Sequence, residues 1–359
     1  VSHEDLFRSI KEFCGRDLLF LEKPTADKST AKTRRPPSKE LYKLKDWLIV
    51  GEEGRTRGYL NQDGFLSAYA SFFLPLYLPE VFGILQQHLE ARKITPKPVE
   101  YLLDVGAGLG TATLSYLLWC QHNKFDLPKE VTLLDQSRKA LARAEQFIKA
   151  LAPEVKVRLE RIDLRNPVDF NRFLRAGQGR FDLTIISHVL NEFGNGPRLR
   201  STKMDLIEKL LTAVTHDDGD LIIIEPTLRG PSLDLMSIRD SLAENGAAVV
   251  GPCPLGTKLC PALRASAGSC YASPPRKLAQ GWNIAPWDKQ MMRFLGIDMD
   301  TSSYTYLWIK PSDESLESSK KHLVLLTDPR SKRNLLCDGK TLVKGDGPYR
   351  GAFVDPKDM

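Results

Sequence analysis

The chain has 359 residues, a formal net charge of +6 and a hydrophobic fraction of 42%. That is enough apolar chain for a sizeable core, in two domains or one large domain with an appendage, and it excludes a small module held by disulfides. The positive charge gathers in stretches, the pattern expected of a protein with a polyanionic partner.

Taken in chain order, Val1–Leu21 and Pro37–Val50 space their apolar residues as helices do. The segment from Lys23 to Lys45 holds Lys28, Lys32, Arg34, Arg35, Lys39 and Lys43 against only Asp27 and Glu40. Nucleic-acid binding and a solvated linker fit it equally. The opening Val1-Ser-His-Glu-Asp is polar and acidic, so no secretory leader is expected, and a cytoplasmic location with reduced thiols is. Phe65 to Leu85 has the length and greasiness of a membrane span. Pro75, Pro79 and Glu80 interrupt it, so buried helices, broken near the prolines, are expected and no membrane partner is. Residues 1–98 thus form a helical N-terminal region.

From Glu100 short apolar strands alternate with amphipathic helices. Strands are expected at Tyr101–Val105, Val131–Asp135, Val155–Ile162, Asp182–Ser187 and Asp220–Glu225. Helices are expected at Ala112–His122, Ser137–Leu151, Pro167–Ala176, Leu199–Val214 and Ser232–Asn245. This describes a Rossmann-like α/β domain over residues 99–250, a parallel sheet covered on both faces. In such sheets ligands lie beyond the carboxyl ends of the strands, where Asp104, Asp135, Asp163, Ser187 and Glu225 fall. After Asn245 the alternation fails. Gly251 to Trp287 is a long loop rich in Pro, Cys, Gly and Ser. Strand-like runs at Ser303–Ile309, His322–Thr327 and Asn334–Leu336 close a small β-rich tail, so residues 251–359 form a third region.

The chemistry begins at Asp104-Val-Gly106-Ala-Gly108-Leu-Gly110-Thr111. The glycines permit a tight turn and a close approach of ligand to backbone. Thr111 stands where the last glycine of a dinucleotide fingerprint would be. A carboxylate ahead of the turn repels phosphate and attracts a cation, which fits S-adenosylmethionine and a class I methyltransferase sheet. A glycine-rich turn in another α/β protein is the alternative. Asp135, roughly 25 residues beyond the turn, suits ribose hydroxyls, and Asp163 suits the adenine amino group; helix capping is the alternative for each. His188, Asn191 and Glu192 follow the fourth strand, beside the place of a transferred methyl group. No Asn-Pro-Pro-aromatic signature and no Pro-Cys accompany them, and a structural histidine fits His188 as well as a general base does.

Cys253, Cys260 and Cys270 share one irregular loop, and Cys337 comes late in the tail. Zinc ribbons use closer Cys pairs, whereas an iron–sulfur cluster takes four thiolates at wider separations. Cys337 completes such a set, while Cys14 and Cys120 lie in helices. A second basic stretch, Lys320, Lys321, Arg330, Lys332, Arg333, Lys340 and Lys344, surrounds it.

The glycine turn, Val189-Leu-Asn-Glu192, Ile224-Glu-Pro226, the Pro-Cys253-Pro…Cys260-Pro loop and Leu335-Leu-Cys337 together resemble the methyltransferase-like protein 17 family. The resemblance covers most of the chain from Tyr59 onward. It implies a four-iron–four-sulfur cluster on Cys253, Cys260, Cys270 and Cys337, with zinc as the alternative metal. It implies binding to small-subunit ribosomal RNA during assembly, as a monomer off the ribosome, in the cytoplasm or, in a eukaryote, the mitochondrial matrix. An active RNA methyltransferase using the same sites is the alternative function. Leu255 and Tyr271 stand where the family often has histidines.

Overall fold

The computed structural model describes residues 3–14, 38–50, 58–175, 180–194, 197–253, 259–264, 270–274, 295, 301–311, 323–326, 335–337, 342–345 and 348–354. The first basic stretch up to Arg35, and Lys320, Lys321, Arg330, Lys332, Arg333 and Lys340 of the second, lie outside the described residues.

Helices α1 (His3–Cys14), α2 (Lys39–Lys45), α3 (Asp63–Ala68), α4 (Leu74–Tyr77) and α5 (Pro79–Arg92) form the N-terminal layer. The long apolar segment Asp63–Arg92 contains a π-helical turn at Tyr69–Phe73 ahead of both prolines. Pro75 sits in the first turn of α4 and Pro79 in the first turn of α5, where a missing N–H costs nothing. By length and composition this segment could cross a membrane, but most of it is buried inside the protein.

The sheet region runs β1 (Tyr101–Val105), α6 (Thr111–Asn123), β2 (Glu130–Asp135), α7 (Arg138–Leu151), β3 (Lys156–Arg161), α8 (Pro167–Arg175), β4 (Phe181–Ser187), α9 (Pro197–Lys209), β5 (Thr215–Pro226), α10 (Arg229–Glu244) and β6 (Ala248–Gly251). After the short helix α11 (Pro261–Arg264), strand β7 (Tyr304–Lys310) returns to the same sheet. The order is β3-β2-β1-β4-β5-β7-β6, parallel except for β7, which pairs antiparallel with β5 and β6. This corrects the placing of Ser303–Ile309 in a separate tail: β7 is a buried central strand, so the sheet draws chain from beyond residue 250. Its pairing with β5 is long-range and carries no local signal. β6 was also unforeseen, being too short for an alternation to register.

Alternate strand residues feed two cores. Leu102, Val131, Leu133, Leu183 and Ile222 face α6, α7 and the N-terminal helices. Leu103, Val105, Ile186, Leu221 and Ile223 face α8, α9 and α10. The remaining tail strands β8 (Leu323–Leu325), β9 (Leu335–Cys337), β10 (Leu342–Lys344) and β11 (Phe353–Val354) make an antiparallel sheet in the order β10-β9-β8-β11.

Candidate functional site

The strand order reverses between β1 and β4, and there the carboxyl ends border a cavity of about 470 Å³. The glycine turn forms its floor. Gly106, Gly108 and Gly110 all have positive φ, at 71°, 52° and 74°. A Cβ on Gly106 would overlap Val189 of the β4 loop, so this position admits glycine on two counts.

Asp104 is buried, and its Oδ2 accepts from Thr113 N at 3.1 Å and Thr113 Oγ1 at 2.7 Å. It thus ties the end of β1 to α6 while still bordering the cavity. Burial pushes its pKa up to about 6, against the lowering effect of both bonds. Asp135 accepts from Gly108 N at 2.9 Å and Ser137 N at 2.7 Å, fixing the turn against β2. Burial raises it, too, to about 6. Each Asp135 oxygen accepts one of these bonds and keeps a second lone pair for a ligand. Asp163 borders the same cavity and accepts from Arg165 N at 3.0 Å. The walls carry Asp104, Asp135, Asp163 and Glu192 against one guanidinium, Arg165. Such a wall repels a pyrophosphate and suits a cationic ligand.

The β4 loop is more constrained than expected. His188 has φ 57°, a left-handed value uncommon for a side-chain-bearing residue. Its N–H donates to Ile224 O, its Nε2 lies 2.7 Å from Glu80 Oε2, and its ring stacks on Tyr77 with centroids 4.2 Å apart. The candidate base is therefore already held by a buried carboxylate of α5. Glu225 is buried and takes the N–H groups of Leu190 and Asn191 on its two oxygens, at 2.7 and 3.0 Å. Burial lifts its pKa to about 7, opposed chiefly by the charge of nearby His188. Asn191 Oδ1 is buried with no hydrogen-bond partner among the described residues.

The sequence reading missed the roof. Trp47, Tyr59, Tyr69 and Tyr77 of the N-terminal layer cover the cavity. Their aromatic spacing reads as ordinary core, and Glu80 as an interruption, because no local pattern shows which strand end the helices will meet.

The cysteines form a second locus. None of the six is in a disulfide. Cys14 and Cys120 are buried in α1 and α6, and burial pushes Cys120 up to about 12. Cys260 and Cys337 share a small apolar cluster with Met236, Val324 and Leu326, and Cys270 packs against it. The Cys270 thiol is pushed well up, first by burial and then by Cys253, Cys260 and Cys337, so these three lie within electrostatic reach of it. Among the described residues no three His, Cys, Asp or Glu side chains stand at the spacing of a single metal ion. By donor chemistry alone, four thiols suit a thiophilic centre, and a cubane, which bonds each thiolate to a different iron, needs wider spacing than one zinc ion does.

A seven-stranded sheet of this order, with the antiparallel strand inserted next to last and a glycine turn after the first, defines a class I methyltransferase-like protein. Residues 68–338 match the family model described as mitochondrial small ribosomal subunit Rsm22, and the chain belongs to that family. Among solved structures, the ribosomal protein L11 methylase of Lactobacillus delbrueckii subsp. bulgaricus is 22% identical, covering 47% of this chain and 69% of its own, with a TM-score of 0.31. Magnesium protoporphyrin IX methyltransferase of Synechocystis PCC 6803, with bound SAM, is 13% identical over 77% of this chain and 98% of its own, with a TM-score of 0.35. No curated protein matches the chain significantly.

Proposed function

We propose that this protein is an assembly factor of the mitochondrial small ribosomal subunit that binds its ribosomal RNA. In this reading the sheet domain holds S-adenosylmethionine and the four cysteines hold a four-iron–four-sulfur cluster. The observation that carries the reading is the family match, whose residues 68–338 contain the glycine turn, Asp104, Asp135, Asp163 and all four cysteines. The family's name favours the mitochondrial location over the cytoplasmic one. The finer resemblance to the methyltransferase-like protein 17 family rests on Cys253, Cys260, Cys270 and Cys337.

Asp135 would take the ribose hydroxyls and Asp163 the adenine amino group, while the acidic wall would hold the ammonium and sulfonium charges. The bound cofactor would supply an electrophilic methyl group. The cluster would tie the cysteine loop to β9, in place of the larger apolar core that this polar segment cannot build. The basic stretches would contact phosphates without reading sequence.

A second reading, active RNA methylation, is favoured by one observation: the unpartnered Asn191 Oδ1 in the cavity wall is an acceptor available to a substrate amino group. The held His188 speaks for binding over proton transfer. The test is purification without oxygen, with visible spectra and sequencing of co-purifying RNA. Small-subunit RNA and a brown colour are expected; colourless protein without that RNA would overturn the proposal. In complemented cells, Ala at Lys320, Lys321, Arg330, Lys332 and Arg333 should impair subunit assembly more than Asp104→Ala does. Loss of a methyl mark with normal subunits in Asp104→Ala cells would favour the enzyme.

A further inference from the structure

Helix α10 meets three of the four cysteines through residues on one face. Met236, Arg239 and Asp240 stand at positions i, i+3 and i+4, so their side chains emerge side by side. Met236 Sδ accepts from Cys270 N at 3.3 Å. Both carboxylate oxygens of Asp240 accept from Cys260 N, at 2.8 and 3.0 Å. Arg239 Nη1 donates to Asp240 Oδ1 at 2.7 Å, and the same guanidinium lies within electrostatic reach of the Cys253 thiol. Arg239 is buried, with 3% of its surface exposed, and Asp240 is nearly so. A buried guanidinium that reaches a cysteine is an uncommon use of a costly group.

A bond from the sheet reinforces the arrangement. Thr305 Oγ1 of β7 donates to Cys270 O at 2.9 Å, fixing that cysteine from the sheet side. α10 is thus a rigid element on which separate loop segments are brought to one place, the condition a four-ligand site needs before its metal arrives.

We propose that the Met236–Arg239–Asp240 face of α10 is the template of the cysteine site, with Asp240 positioning Cys260 and Arg239 serving as the cationic partner of the Cys253 thiolate. This rests on the iron–sulfur reading above. Four thiolates around a cubane leave the oxidised site doubly negative, and taking up one electron adds a further negative charge. A buried guanidinium beside one thiolate favours the reduced form, so removing it must make reduction harder. Asp240, itself anionic, acts through the backbone: its two acceptor oxygens hold the Cys260 N–H and orient the residue whose sulfur binds iron.

The experiment uses the full chain purified without oxygen, in wild-type, Arg239→Gln, Arg239→Lys and Asp240→Asn forms. Iron and sulfide per chain are measured, and dithionite with mediator dyes supplies the electron in a potentiometric titration followed by electron paramagnetic resonance. Arg239→Gln should keep a cluster whose midpoint potential is more negative than wild type, with Arg239→Lys between the two. Asp240→Asn should bind less iron and lose it faster in air, with circular dichroism unchanged. Should Arg239→Gln not fold, Arg239→Lys and Asp240→Asn still decide. Variants with wild-type iron content, potential and air stability would overturn the template. A wild-type protein without iron would instead overturn the cluster reading on which it rests, so the two failures are told apart by the wild type alone.

Discussion

The cavity and the cysteine site differ in what completes them. Around the glycine turn, Asp104 and Asp135 receive four hydrogen bonds from Thr113, Gly108 and Ser137, supplied by the turn itself and by the starts of the helices that follow β1 and β2. The cavity is therefore shaped by backbone, ready before any ligand binds. At the cysteine site the thiols come from two loop segments, the end of β6 and β9, and Cys260, Cys270 and Cys337 gather at a small apolar cluster. Four thiols brought together have no mutual attraction and repel once ionised, so in the proposed function the cluster would supply what holds them together. One site is set by hydrogen bonds already made within it; the other is held on one side by α10 and would be completed by the proposed cluster.

The largest effect should follow from breaking the second site. Cys260→Ser should abolish visible absorption by the protein and lower its solubility; a variant as brown as wild type, by iron and sulfide assay, would show that this thiol is not a ligand. Colourless wild-type protein with stoichiometric zinc would keep the site and replace the metal. Next comes the cavity floor. Gly106→Ala places a side chain at a φ of 71° and against Val189, and backbone strain alone should cost about 1–3 kcal/mol in urea unfolding. An unchanged urea midpoint would mean that the turn is pliable.

Third, Asp135→Ala should weaken S-adenosylmethionine binding by about 1–3 kcal/mol in calorimetry, the range for losing a charge-assisted bond. Equal affinities would place the ribose elsewhere. The smallest effect concerns pH. Asp104 and Asp135, raised to about 6, and Glu225, raised to about 7, bind protons more tightly folded than unfolded. Between about pH 4 and pH 7 they favour the folded state as pH falls, and that contribution is lost as pH rises through those values. The Glu225→Gln variant should therefore show a smaller rise in melting temperature from pH 7.5 to pH 5.5 than wild type. The difference should be roughly 2–4 °C for about 1 kcal/mol. Parallel profiles would contradict the assignment.

The sequence was informative where one element carried its own signal. The span of β1 reads off as Tyr101–Val105, because an apolar run ends at a glycine turn. The helix expected at Ser137–Leu151 is observed at Arg138–Leu151, with Ser137 as its cap, accepting from Ala140 N. What stayed hidden depends on partners distant in sequence. Glu80 meets His188 across 108 positions, and Trp308 of β7 donates to Asp220 across 88. Asp240 looks like a surface acid until Cys260 N is found on it. The residues that hold a site's ligands in place leave no spacing rule, because their chemistry is that of any core contact.

The difference between the two sites is tested most directly by calorimetric titration of S-adenosylmethionine into wild-type protein and into the soluble fraction of Cys260→Ser, both purified without oxygen. None of the four cysteines borders the cavity. The wild type should bind, and the cluster-free variant should bind with an affinity within about 0.5 kcal/mol of it, as expected for sites without shared partners. Binding that disappears together with the cluster, or no binding by the wild type, would contradict a cavity preorganised by its own backbone.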